Sequence, residues 1–213
     1  MTTDLVLAAH GSADPGFNAV LESLAGQLAQ RRPDIDVAVG YLGHGSPLDE
    51  VARRDSVVVP VFLSRGFHVR RDVPRKTAGS IIAAAVGPDR RIAEILARRL
   101  REAGWSDGPV VLAAAGSANP AAIADVRRAA RDLAGRLGVN VSAGFLSAGV
   151  PRLADTAPAA VASYLLAPGH FANLAARCGA PVVAQPLGAD PVLVDVVLDR
   201  YDAALTWLQE VVA

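Results

Sequence analysis

Cysteine, lysine and methionine each occur once in the 213 residues. The single thiol, Cys178, allows neither a disulfide framework nor a cysteine-based zinc centre within one chain. Its setting, "AARCGAP", reads as a helix end followed by Gly179 and Pro181, a structural position. Aromatic residues make up only 5% of a chain that is 52% hydrophobic, so Ala, Val and Leu must fill the core. Neither sign of charge is in excess: Lys+Arg and Asp+Glu are 21 each, and Lys76 is the one lysine. That balance excludes the broad basic face of a general nucleic-acid binder, and no nucleic-acid partner is expected. No apolar run reaches the roughly 18 residues that span a membrane. The opening "MTTDLVLAAHGS" lacks the charged and apolar regions of a signal peptide, so a soluble, cytoplasmic chain is expected. No Walker-type phosphate loop is present.

What the chain does have is repetition. "VLAAHGSADP" at 6–15 returns as "VLAAAGSANP" at 111–120, identical at eight of ten positions. One of the two changes replaces His10 by Ala115. "YLGHGSP" (41–47) matches "FLSAGVP" (145–151), and "FLSRGFH" (62–68) resembles "LLAPGHF" (165–171). "VGPD" (86–89) matches "LGAD" (187–190), so the offset falls steadily from 105 to 101. Short apolar runs alternate with amphipathic stretches, which predicts α/β architecture with parallel sheets covered on both faces. Strands are predicted at 4–9, 35–42, 57–63 and 80–86, then at 109–115, 139–146, 161–166 and 181–185. Helices are predicted over "NAVLESLAGQLAQRR", over "DRRIAEILARRLREAG" and near 119–137 and 190–210. A repeat of this length is too long for a solenoid and suits two small domains. The boundary is expected in "GWSDGP", giving residues 1–106 and 107–213, with the second half a degenerate copy.

In parallel α/β sheets, ligands bind beyond the carboxyl ends of the strands. His10, His44 and His68 follow the first, second and third predicted strands, so all three come to one edge of one sheet. His170 occupies the matching edge of the second half, one residue out of register with His68. The loss of one histidine from a duplicated frame places a single working site in the first half. Neutral imidazole suits Fe, Co, Ni and Zn, and it can equally accept a proton near neutral pH. Two histidines without cysteine form an open site that holds a metal transiently, whereas a structural zinc centre wants four ligands. Beside His68 lie five cations, Arg65, Arg70, Arg71, Arg75 and Lys76, with one anion, Asp72. Arginines next to such a site favour a polycarboxylate or phosphate ligand. The turn at Gly11-Ser12 leads into a helix N-terminus, which also favours anions.

Carried by "LAAHGSADP", "FLSRGFHVRRDVP" and the duplicated frame, the chain resembles the sirohydrochlorin chelatases, the cobalto- and ferrochelatases of the class II chelatase fold. The resemblance implies two tandem Rossmann-like halves, each a four-stranded parallel sheet flanked by helices, with a tetrapyrrole bound in a cleft between them. It implies an ATP-independent metal-inserting lyase. Its metal substrate would be Fe²⁺ or Co²⁺, with Ni²⁺ a further candidate, and its macrocycle an octacarboxylate. No permanently bound cofactor is expected, and the protein is expected to be a monomer or weak homodimer. Catalytic and metal-contacting roles fall on His10 and His68. Substrate binding falls on Gly11, Ser12, Ser64, Arg65, Gly66, Arg70 and Arg71. The family commonly has a Glu after the second strand, in a pattern like "FLE"; here the stretch is "YLGHG", with Gly43 at that position. His44, beside it, is the candidate third ligand.

Three other readings are open to a test. In a histidine phosphatase an "RHG" turn supplies the nucleophile, but Ala9 precedes His10 here. "GWSDG" (104–108) matches a serine-hydrolase elbow in letters, yet it follows a predicted helix and precedes a strand, the reverse of that motif. A metal or tetrapyrrole carrier would bind without accelerating insertion.

Overall fold

The computed structural model describes residues 4–212. Strand β1 (Leu5–Ala9) is buried along its whole length and leads into α1 (Pro15–Arg31). Asp14 caps that helix by accepting from the Gly16 amide, and Pro15 sits in its first turn, where its missing N–H costs nothing. There follow β2 (Val37–Tyr41), the single turn α2 (Leu48–Val51) and β3 (Val57–Pro60). A π-helical turn, His68–Asp72, then runs into α3 (Val73–Lys76), and β4 (Ile81–Ile82) closes the first sheet. Its order is β2-β1-β3-β4, all parallel.

After α4 (Ile92–Glu102) the plan returns as β5 (Val110–Ala114), α5 (Pro120–Leu137) and β6 (Val141–Phe145). A 3₁₀ turn at Leu153–Asp155 stands where α2 stood. Then come β7 (Ala160–Tyr164), α6 (His170–Ala176), β8 (Val182–Val183) and the long α7 (Pro191–Val212). The second sheet, β6-β5-β7-β8, is again fully parallel. The expected duplication is therefore present, in register: Ala8 pairs with Gly40 as Ala113 pairs with Gly144. The outer strands β4 and β8 are two residues each, much shorter than the apolar runs that predicted them. Ser106 lies between α4 and β5, where no nucleophile elbow can form.

Alternation along each strand divides its side chains between two faces. In the first sheet, Val6, Ala8 and Val58 pack with Leu48 and Val73. In the second, Val111, Ala113 and Val161 pack with Leu153. On α1, Leu21, Leu24 and Leu28 are fully buried at helical spacing.

The compact units differ from the expected division at 106/107. One runs to Val86 and resumes at Ala189; the other is Gly87–Gly188. The cause is where the two terminal helices find apolar partners. Helix α4 buries Ile92, Ile95, Leu96 and Leu100 while packing on α5 and β7. Burial of four such side chains is worth roughly 6–12 kcal/mol, ample to assign the helix to that unit. Helix α7 packs on α1 and β3, with Leu193, Val196, Val197 and Tyr201 buried. Each repeat's last helix thus belongs to the other repeat's unit.

Candidate functional site

His10 is the first residue beyond β1. Its side chain is exposed while the five before it are buried. The backbone ladder continues one step past the strand, because the Gly43 amide donates to the His10 carbonyl at 2.8 Å. Gly11 then turns the chain at φ 80°. A Cβ there would overlap the His44 carbonyl oxygen, so the close approach of the two loops requires glycine. The Ser12 hydroxyl oxygen accepts from the Asp14 amide at 3.0 Å and so helps shape the start of α1.

His68 arrives from β3, whose exit is fixed by the Val61 amide donating to the Ala8 carbonyl at 2.8 Å. The Gly66 amide donates to the Ser64 carbonyl, and the Arg70 amide donates to Gly66 as the π turn begins. These bonds bring the His68 ring to 4.7 Å from the His10 ring, centroid to centroid, tilted by 57°. The sequence expectation that β1 and β3 deliver two histidines to one place is met in this geometry. Phe62 stacks on His68 at 6.1 Å, and Phe67, 54% exposed, meets it edge-on at 6.2 Å. The Asp72 carboxylate accepts from Nδ1 of His68 at 2.7 Å.

His44 is exposed on the neighbouring loop. Among the described residues no group of three or more His, Cys, Asp or Glu could hold a metal ion, so His44 does not complete a ligand set with the pair. Gly43 does face His10: a Cβ placed on it would lie 3.7 Å from Nδ1 of His10 and 3.1 Å from the His10 carbonyl oxygen. Of the local cations, Lys76 is engaged by Asp49 at 2.8 Å, and its ammonium holds that carboxyl below the usual carboxylate range. Arg75 approaches Asp72 at 3.6 Å. Arg71 places its guanidinium 5.6 Å from the centre of the Phe67 ring. Arg65, Arg70 and Arg71 are all exposed on this segment.

The second unit keeps the frame and lacks the pair. Ala115 takes the place of His10, Gly116 turns at φ 98° against the Ala148 carbonyl, and the Ser147 amide donates to Ala115 at 2.8 Å. Ser147 stands where Gly43 does, and its hydroxyl also donates to the Ala115 carbonyl. Phe171 occupies the position of His68, while His170 opens α6 and meets the Phe171 ring at 5.3 Å. Sequence reading missed Asp72 and the two phenylalanines around His68. The spacing of His68 and Asp72, four apart on a helical turn, carried the signal. It was hidden in what read as a loop of mixed charge.

Two parallel four-stranded α/β units, with a histidine pair at the strand C-termini of the first, define a protein of the chelatase fold. Several solved structures share it, two of which follow. SirB from Bacillus subtilis with Fe³⁺ superposes with a TM-score of 0.71 at 21% identity, covering 96% of each chain. CbiX, described as the terminal enzyme for biosynthesis of siroheme in denitrifying bacteria, superposes with a TM-score of 0.74 at 23% identity. That match covers 94% of this chain and 99% of CbiX. The CbiX family model matches residues 4–103, the span that holds His10, His44 and His68. The sirohydrochlorin cobaltochelatase of Methanosarcina barkeri is 30% identical over 118 residues, covering 44% of this chain and 91% of that protein. That of Sulfolobus acidocaldarius is 29% identical over 113 residues, covering 46% and 90%. The chain belongs to the sirohydrochlorin chelatase family. Relatives of this kind correspond in length to a single one of its two repeats.

Proposed function

We propose that the protein inserts a divalent metal ion, Fe²⁺ or Co²⁺, into sirohydrochlorin. The observation that carries this reading is the pair of imidazoles 4.7 Å apart at the end of β1 and beyond β3. Insertion forms bonds from the metal to the four ring nitrogens and releases two pyrrole protons, so M²⁺ and the free macrocycle give the metal complex and 2 H⁺. The reaction needs a group that gives up a metal readily and a group that takes a proton at the same face. Neutral imidazole does both, and an open pair lacking further protein ligands releases its metal more easily than a closed site. His10 and His68 are assigned these roles. Arg65, Arg70 and Arg71 would hold carboxylate arms of the macrocycle and so fix its orientation. Gly11, Ser12, Ser64 and Gly66 shape the two loops on which the histidines stand. Nothing in this chemistry calls for ATP.

The test is an absorbance assay of sirohydrochlorin with Fe²⁺, Co²⁺ or Ni²⁺, with and without the protein. Insertion faster than the spontaneous rate supports the reading, and the metal that gains most identifies the preferred substrate. The open position at Gly43 favours a second reading, a metal or tetrapyrrole carrier. Tight binding without acceleration would select it.

A further inference from the structure

We propose that Asp72 is the positioning residue of the site. It fixes His68 with the proton on Nδ1 and leaves Nε2 as the unprotonated nitrogen that meets the metal. The inference rests on the insertion reading above and adds to it a division between the two histidines. A carboxylate can only accept, so the 2.7 Å contact makes Nδ1 of His68 the donor and leaves the lone pair of the neutral ring on Nε2. Metal-ligating histidines commonly have their other nitrogen held in this way, which sets both tautomer and ring orientation. Among the described residues no carboxylate bonds to the ring of His10, so the constraint falls on one member of the pair.

The local fold does not need this carboxylate for itself. The backbone at Asp72 is helical, and its side chain makes no cap bond to α3. The chain runs on from the π turn, in which the Val73 amide donates to the His68 carbonyl five residues back. The other contact of Asp72, to an Arg75 side chain that is 78% exposed, is too wet to matter energetically. The second repeat supplies a comparison within the same molecule. Continuing the match of "FLSRGFH" to "LLAPGHF" places Phe171 at His68 and Ala175 at Asp72. Helix α6 forms there with a buried alanine in place of the acid. Histidine and aspartate are therefore absent together from the copy without a pair, while the helical segment remains.

The experiment compares wild type with Asp72→Asn and Asp72→Glu, each checked for folding by circular dichroism. Side-chain ¹⁵N NMR of the histidines in the metal-free protein reads the tautomer without any turnover. Wild-type His68 is expected as the Nδ1–H form, and Asp72→Asn, whose amide can donate, as a mixture or the Nε2–H form. Calorimetric titration with Co²⁺ alone should show about 10- to 100-fold weaker binding in Asp72→Asn, the usual cost of losing such a partner. In the insertion assay the loss should fall on kcat and on KM for the metal, with KM for sirohydrochlorin unchanged, and Asp72→Glu should recover part of it. An unchanged tautomer, or unchanged Co²⁺ affinity with full turnover, in folded Asp72→Asn overturns the proposal. A tautomer change in the variant of a protein that inserts no metal would instead overturn the insertion reading and leave the coupling of Asp72 to His68 in place.

Discussion

Replacing Gly11 by alanine, and separately Gly116, sets the two units against each other in one experiment. Both glycines turn at positive φ, 80° and 98°. At each, a Cβ would overlap a carbonyl oxygen of the next loop, that of His44 or of Ala148, with the amide nitrogen of the same residue at 3.0 Å. An L-residue held at positive φ costs about 1–2 kcal/mol. Forcing a methyl group into backbone that cannot rotate away adds about 1–3 kcal/mol. The two variants should therefore lose similar stability, about 2–5 kcal/mol each. With a urea dependence of about 2 kcal/mol per molar, that is a drop of about 1–2.5 M in midpoint. Trp105, buried in the second unit, reports Gly116→Ala by fluorescence, and far-ultraviolet circular dichroism follows both variants.

Function should separate what stability does not. Relieving the overlap at Gly11 moves the backbone that carries His10, which is bonded through its carbonyl to Gly43. Displacement of a reacting group by about 1 Å costs on the order of 100-fold. Gly11→Ala should therefore lose at least that much insertion activity under conditions where it is fully folded. Gly116→Ala should stay near wild type, because Ala115 carries nothing. Equal loss in both variants would refute the assignment of the working site to the first unit. Full activity and an unshifted midpoint in Gly11→Ala would refute the steric argument itself.

His10→Ala and His68→Ala should each lower kcat for insertion by about 10²- to 10⁴-fold, the range of positioned acid–base groups, while His170→Ala stays near wild type and His44→Ala falls by far less. Gly43→Glu should tighten Co²⁺ binding measured by calorimetry without macrocycle, since its side chain starts 3.7 Å from Nδ1 of His10; unchanged affinity would show that the carboxylate cannot reach. Arg65→Ala, Arg70→Ala and Arg71→Ala should raise KM for sirohydrochlorin and flatten its dependence on salt, which is checked by assays at low and high ionic strength.

The sheets were legible because fully buried parallel strands are continuous apolar runs, and the repeat supplied each assignment twice. Val6–Pro15 against Val111–Pro120 located β1, the turn and the start of α1 together with their copies. The division of the chain into units was not legible, for a physical reason. Recurrence of sequence records the order in which elements follow one another. It carries no information on which sheet a terminal helix covers. The buried stripes of α4 and α7 fit either sheet equally well on paper, because the two sheets are copies.

At the site, pattern and geometry part in the same way. A histidine just past a buried strand must reach the carboxyl edge, so β1 and β3 brought His10 and His68 together as the order of strands required. His44 follows β2, which is equally adjacent to β1, yet its loop presents main chain to Gly11 and leaves the ring exposed. Strand order fixes the edge a residue comes to, and the loop after it fixes where the side chain goes. The case of Asp72 runs the other way. Counted as one anion among five cations, it looked like dilution of a basic patch, but the π turn commits it to His68. Its meaning lies in a spacing of four residues within a segment too short to show helical periodicity. The second repeat, with Phe171 and Ala175 in the matching places, adds to that spacing the absence of both residues from the copy.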